Sequence, residues 1–533
     1  MPATETWSAS TAFARAWPAL PAIGVLIVLL LLLGFNDGGY FPSTFVAAGA
    51  AAFLALAVLL VASPARPRLS TNALLALAAL AAFAAWIGLS SQWSTAPDTP
   101  LLDMQRAMLY LAIFGLALVA ADSRRHARLL VWSVLVAIIV IVIAGLLSRL
   151  QPDIVTGTTD PFTKAGYRLG YPLEYWNTFG ALASIGAVLA LGLAADRRST
   201  SILRAAAAGA ATPLSVAMYF SLSRGAWLAL FLGVVVLVAL APNRGALLIS
   251  LALVGAAVAV LVLRLRAYPA LVTDPAAGTG QAAQGNAFTR ELLLVSLAVM
   301  IAQGLLAEER IAPGLRRHAR ALRRPALIGL GAIIAVAALG GYALQGTKAE
   351  GTVTGALKDT TAWIDHQWDD FLQTTSESGG AGTRRLLSAK GARSAGYRVA
   401  IDGFEAHPLR GEGAGSFEVR WMQTRELDVK VRDAHSLPLE TLGELGAVGL
   451  LLLLGFFATV AAGARRCLKG SGAIRPAEAA AVTAAFVVWL GHASVDWDWE
   501  MPALTATALV LSAALFQRGR ERRRSSRASA ASA

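Results

Sequence analysis

A single cysteine among 533 residues excludes an internal disulfide framework. Its neighbours Arg465, Arg466 and Lys469 place Cys467 on the reducing, cytoplasmic side of a membrane. Charge is scarce too. Only 15% of the residues are charged and 56% are hydrophobic, whereas a soluble domain carries about 25% charged residues. That deficit excludes a chain wetted on all sides. The signatures of soluble enzymes are missing: there is no phosphate-cradling GxxxxGK(S/T) loop, no HExxH, no CxxC and no GxSxG. No strand-rich segment or tandem repeat is visible. The first apolar run, Pro18 to Phe35, lacks a clear small-residue cleavage site, and further runs follow it, so a cleavable signal peptide is not expected.

Apolar runs recur from end to end, each long enough to cross a hydrocarbon core about 30 Å thick. They lie near 18–35, 44–63, 71–90, 104–121, 127–148, 177–195, 204–222, 225–241, 245–264, 291–308, 325–346, 444–464, 478–495 and 501–517. From Arg204 to Ala241 the chain is nearly unbroken; one helix of that length would reach about 57 Å at 1.5 Å per residue. It therefore turns back at its one polar break, Ser221 to Gly225. The expected fold is all-α: a polytopic membrane helix bundle of about fourteen transmembrane helices, twelve at the lower count. Residues 1–346 form an N-terminal membrane bundle of about eleven spans and 347–443 a large, partly helical outer-face loop. Residues 444–517 form a C-terminal bundle of about three spans and 518–533 a basic cytoplasmic tail.

The net charge of +13 is unevenly distributed. With the N-terminus in the cytoplasm, the cytoplasmic segments hold 26 Lys+Arg against 7 Asp+Glu, and the other side 20 against 26. This is the positive-inside bias. Both termini are thus expected inside a bacterial inner (plasma) membrane. The RGRERRR tail reads as an anchor at an anionic leaflet, not as a nucleic-acid site. Within the large loop, Ser394–Phe404 places Tyr397, Ile401 and Phe404 on one helical face, expected to lie on the membrane or the bundle. Lys358–Phe371 is a weaker case, and Gly379–Gly382 a flexible break.

Four polar groups stand against apolar helices on the outer face. Arg224 lies in the SLSRGAW turn, with almost no loop to lift it into water. It either snorkels to head groups or binds an anion from inside the bundle, where a guanidinium fork matches phosphate oxygens. His435 closes the large loop in VRDAHSLPLETLGEL; near neutral pH histidine is the side chain suited to exchanging protons, although a loop histidine can be merely solvated. Asp433 is placed to orient its ring. Glu440 and Glu444, four apart, share a helix face at the mouth of the membrane, where the helix dipole alone would favour them. Arg393 and Arg398 open the amphipathic helix that precedes HPLRGEGAGSF, and Arg168 and Asn177 stand at the edge of the sixth span.

Together these stretches resemble the O-antigen ligase and polymerase superfamily of bacterial membrane glycosyltransferases. The resemblance rests on Arg168–Asn177, SRGAW at Ser223–Trp227, the segment Arg393–Phe417, and HSLPLETLGELGAVGL at His435–Leu450, in order and sidedness, over roughly residues 165–455. The chain departs from the family at Gly396-Tyr397, where Tyr-Trp is frequent, and has about two more spans than typical ligases. The resemblance implies transfer of a glycan from undecaprenyl pyrophosphate to a glycan, lipid or protein hydroxyl at the outer face, inverting, with no metal and no cofactor. By matching positions, His435 is the general base, and Arg224 and Arg393 stabilise the leaving pyrophosphate. Arg168, Asn177, Arg398, Glu440 and Glu444 are the substrate-binding candidates. The competing class is a transporter or flippase of lipid-linked or anionic solutes. Inverted repeats and midplane helix breaks would mark it, and the polar groups here gather on one face instead.

Topology tests the frame. Reporter fusions after residue 155 or 380 are expected outside, and fusions after residue 200, 318 or 525 in the cytoplasm. A cytoplasmic 347–443 loop would end the glycosyltransferase expectation, because the carrier-linked glycan is presented outside.

Overall fold

The computed structural model describes residues 18–63, 69–155, 167–272, 280–307, 393–425 and 430–517. Fifteen α-helices occur among them: α1 Ala19–Gly34, α2 Pro42–Ala62, α3 Thr71–Leu89, α4 Thr99–Ala120, α5 Arg124–Leu150, α6 Trp176–Ala194, α7 Ser201–Ser221, α8 Arg224–Leu240, α9 Arg244–Arg264, α10 Gln281–Ala307, α11 Arg393–Ala406, α12 Ser416–Thr424, α13 Leu437–Leu468, α14 Pro476–Ala493 and α15 Pro502–Ala513. The described chain is all-helical without strands, and nine of its helices are long and apolar enough to cross a membrane. Every expected span coincides with a helix except 325–346, which lies outside the described residues, as do Lys358–Phe371, Gly379–Gly382 and the basic tail.

Local chemistry sets the helix starts. Ser70, Ser123, Thr200 and Ser223 each accept a hydrogen bond from the backbone N–H three residues on, filling a donor that the first turn leaves open. Proline in the first turn of α13, α14 and α15 removes another such donor. Helix α15, only 12 residues long, would reach about 18 Å. All of it is buried, so its neighbours rather than lipid surround it.

The helices sort into two groups. Helices α1–α4 pack with α13 and α15, and α6–α10 pack with α14, while α5 touches both groups. Thus the three helices that follow the large loop intercalate among the earlier ones. Helix α6 is enclosed from Asn177 to Ala194. A side chain at Gly186 or Gly192 would collide with Ile138 or Ala481, so small residues bring the neighbouring helices into close contact. Outward faces stay apolar, as at Leu54, Val58 and Val61 of α2 and Leu293 and Leu294 of α10, which suits contact with lipid tails.

The connections also sort by end. At one end Ser94 Oγ donates to the Ala414 carbonyl at 2.8 Å, Arg149 Nη1 to the Leu271 carbonyl at 3.0 Å, and Tyr40 packs on Trp497. At the other Arg475 pairs with Asp196 at 2.8 Å and the Ala473 N–H reaches the Gln517 carbonyl at 3.1 Å. These are the two sets that the charge pattern separates into outer and cytoplasmic connections.

Two local features are not set by the hydrophobicity pattern. Helix α11 forms where expected, and the face it packs on the bundle is its small-residue one. Gly396, Val399, Ala400 and Gly403 point inward while Ile401 is 42% exposed and Phe404 is only partly covered. The small residues win because α11 packs backbone-close on α13, where a Cβ on Gly443 would stand 2.6 Å from the Ala400 carbonyl oxygen. Helix α13 is broken at Gly446, with φ 65° and ψ −167°. The segment 408–413 fills the break: Ala447 and Val448 N–H donate to the Pro408 and Leu409 carbonyls, and Glu412 and Gly413 N–H donate to those of Gly443 and Glu444. Backbone groups freed by the break are thereby satisfied.

A side chain at Gly446 would need a backbone region nearly closed to other residues and would meet the Leu409 carbonyl carbon at 2.4 Å. Gly446→Ala is expected to cost at least about 1–3 kcal/mol, read as a lowered unfolding midpoint of the detergent-solubilised protein. An unchanged midpoint would contradict the tight fit of the 408–413 segment.

Candidate functional site

The short stretch Ser494–Glu500, between α14 and α15, joins the two groups of helices, and the polar groups converge on it. Asp496 is fully buried and saturated. Its Oδ1 accepts from the Tyr175 hydroxyl at 2.8 Å and the Trp497 N–H at 3.1 Å, and its Oδ2 from Asn177 Nδ2 at 2.7 Å and Arg393 Nη2 at 2.6 Å. Burial pushes this carboxyl up, but the Arg393 guanidinium beside it, with His435 and His492, outweighs burial and holds it below the usual carboxylate range. For Tyr175 burial and the Asp496 charge act together and push its hydroxyl well up, so it stays a donor.

Arg393 opens α11 and remains partly exposed while held by Asp496. Arg168 is 6% exposed and spends its donors locally: Nε to the Ser221 carbonyl at 2.9 Å, Nη2 to the Leu222 carbonyl at 3.2 Å and to Asn177 Oδ1 at 2.7 Å. It thereby pins the α7–α8 turn, in which Leu222 takes the left-handed conformation with φ 49°. Arg224 follows directly as the first residue of α8, half-buried. One chain of hydrogen bonds therefore runs from the turn bearing Arg224 through Arg168, Asn177 and Asp496 to Arg393. Beside that turn the buried His492 ring lies against Gly225, and its Nδ1 bonds Asp498 Oδ2 at 2.6 Å.

His435 faces Trp497 of the same stretch edge-on, ring centroids 6.4 Å apart. Its backbone is left-handed, φ 57°, a conformation that costs a non-glycine residue about 1–3 kcal/mol. The main-chain carbonyl of Asp433, not the carboxylate expected from sequence, lies 3.0 Å from Nδ1. A carbonyl only accepts, so Nδ1 carries a proton, and in that tautomer Nε2 is the acceptor. Glu440 Oε2 accepts from the Ala434 N–H at 2.8 Å and so holds the backbone one residue before the histidine. Glu444 Oε1 accepts from the Phe417 N–H at 3.0 Å and anchors the GAGSF turn at the start of α12. Arg398 is exposed, away from the buried face of α11.

Carboxylate oxygens of Asp433, Glu440 and Glu500 approach within 4.8 Å of one another, a spacing that could hold a cation. Arg106 serves this group with its own charge, 3.7 Å from Glu500 and 2.9 Å from Asp103. Burial pushes Asp433 up to about 6, against the pull of His435 and Arg106. Burial, reinforced by Asp433, pushes Glu500 well above the ordinary range.

The structure thus gathers Arg168, Asn177, Arg393 and His435 around one segment, sets Arg224 at the adjoining turn, and gives Glu440 and Glu444 supporting contacts. Sequence reasoning missed Tyr175, His492, Asp496, Asp498, Glu500, Asp103 and Arg106. The available signal was VDWDWE, three acids between two apolar runs, because ionisable groups at membrane helix ends are costly unless matched. Comparison with protein-family models and with curated proteins finds no match to this chain.

Because Asp433 holds its proton to higher pH folded than unfolded, stability falls as pH rises from about 4 to about 6. Asp433→Asn is expected to flatten that limb of the unfolding midpoint against pH and to raise the midpoint at pH 7. A parallel curve, or a lowered midpoint at pH 7, would show that Asp433 is charged and matched in the fold.

Proposed function

We propose that this protein is a membrane glycosyltransferase of the O-antigen ligase or polymerase kind. It moves a glycan from undecaprenyl pyrophosphate to a glycan, lipid or protein hydroxyl at the outer face of the inner membrane. The observation that carries the reading is that His435, whose Nδ1 faces the Asp433 carbonyl, and Arg393, clamped by Asp496, both adjoin the Asp496–Trp497 segment.

In this reading the acceptor hydroxyl attacks the anomeric carbon from the face opposite the pyrophosphate. Its proton passes to His435 Nε2 as the new C–O bond forms. The bond from carbon to the pyrophosphate oxygen breaks, and negative charge gathers on the phosphate oxygens. Arg393 and Arg224 stabilise that charge; their fixed guanidinium groups need little reorganisation as it develops. Asp496 and Arg168 are positioning residues: one holds Arg393, the other the turn before Arg224. The apolar outward faces of neighbouring helices suit the polyprenyl chain.

The break in α13 favours a transporter as a second reading, since broken helices build substrate sites in that class. Here segment 408–413 occupies the freed backbone groups, which supports the transferase over the carrier.

The test is the purified protein in liposomes with an undecaprenyl-pyrophosphate glycan, following product and bound donor separately. His435→Ala is expected to keep donor binding and lose about 10²–10⁴-fold in transfer, the usual worth of a positioned base. Arg224→Lys and Arg393→Lys keep charge but lose the fork, so transfer should drop sharply with normal membrane insertion. Parental rates in all three variants would remove the transferase reading. Loss of activity in chelator would instead put a metal on the Asp433, Glu440 and Glu500 carboxylates.

A further inference from the structure

At the end of the bundle opposite Asp496, a cleft of about 640 Å³ opens between the start of α5, the α6–α7 turn and the α13–α14 turn. Helix α5 alone separates the two ends by about 40 Å, from 27 residues at 1.5 Å each. Five arginines line the cleft: Arg124, Arg125, Arg128, Arg198 and Arg475. Two are matched by buried carboxylates, Arg128 by Glu478 at 2.6 Å and Arg475 by Asp196 at 2.8 Å. Arg124, Arg125 and Arg198 are exposed and have no acidic partner among the described residues. Helices α5 and α14 both begin here, and their dipoles add positive ends to the same space. Such crowding of like charge is unfavourable unless an anion shares the cleft.

The surroundings indicate what kind of anion. Leu129, Val136 and Val140 are exposed on the face of α5 that carries Arg125, four, eleven and fifteen residues further on. An apolar strip therefore runs from the rim of the cleft into the bilayer region. Ile202, 77% exposed, and Leu203 stand beside Arg198 at the start of α7. A ligand with an anionic head and acyl tails matches both parts; a soluble anion matches only the first. A single phosphodiester brings one negative charge to three unmatched arginines, and two phosphodiesters come closer to balance. We propose that this cleft binds the headgroup of an anionic phospholipid bearing two phosphodiesters, seated in the leaflet that the charge pattern assigns to the cytoplasm. The inference is independent of the glycosyl-transfer reading.

The experiment is a native mass-spectrometric titration of the full chain in detergent, with cardiolipin, phosphatidylglycerol or phosphatidylcholine, and with pyrophosphate and ATP as soluble competitors. The parent protein should retain cardiolipin over phosphatidylglycerol, with no retention of phosphatidylcholine. The triple variant Arg124→Gln, Arg125→Gln, Arg198→Gln should bind cardiolipin on the order of 100-fold more weakly, from roughly fivefold per arginine near the surface. These side chains are exposed, so size-exclusion profile and unfolding midpoint should match the parent; if the triple variant does not fold, Arg198→Gln alone carries the comparison. Unchanged cardiolipin affinity in the variant would overturn the proposal. Displacement of the lipid by pyrophosphate or ATP would overturn its lipid part and assign the cleft to a soluble phosphate compound.

Discussion

The carboxylate of Asp496 is the point on which the arrangement depends. It is fully buried and accepts from two side chains of the 175–177 segment, from Arg393 and from its own neighbour's backbone. An isolated charge there would be strongly unfavourable, and one matched by a guanidinium and three neutral donors is not. The same bonds do three things. They tie α6 to the stretch before α15, hold Arg393 at the start of α11, and, through Asn177 and Arg168, fix the turn that presents Arg224. Removal of one partner would leave the others with unmatched charge, so the network behaves as a unit.

The large loop is integrated into the membrane helices by a different device. Its segment 408–413 lies along the broken part of α13 and trades backbone hydrogen bonds with it, while Glu440 and Glu444 reach back to Ala434 and Phe417. His435 sits between these two clamps in a strained backbone conformation. Strain of this kind persists only where the surroundings over-determine it, and here they do so on both sides of the histidine.

Much of this was legible in the sequence, for identifiable reasons. The turn at Ser221–Gly225 followed from length, since no single helix of that extent fits a bilayer, and from the one polar break in the run. The sorting of connections by charge matches the two ends of the bundle because topology is a near-local property of each segment. The buried face of α11 was not legible: a hydrophobicity pattern selects Tyr397 and Ile401, whereas close approach to α13 selects Gly396, Ala400 and Gly403. Nor was the role of Asp496, whose partners Tyr175 and Asn177 stand about three hundred residues earlier in the chain. Arg168 was picked out for its chemistry, yet its donors face the protein's own carbonyls, which no spacing rule reveals.

The seam position of Ser494–Glu500 has a consequence for biogenesis. One flanking helix packs with the first group and the other with the second, and the residues that organise the site lie near the end of the described chain. During synthesis from the N-terminus, Arg168, Arg224, Arg393 and His435 are all made before Asp496. A nascent chain halted after α13 would contain these residues without the carboxylate that joins them. Assembly of the site therefore waits for the stretch after α14, and a product truncated before Asp496 cannot acquire it by folding further.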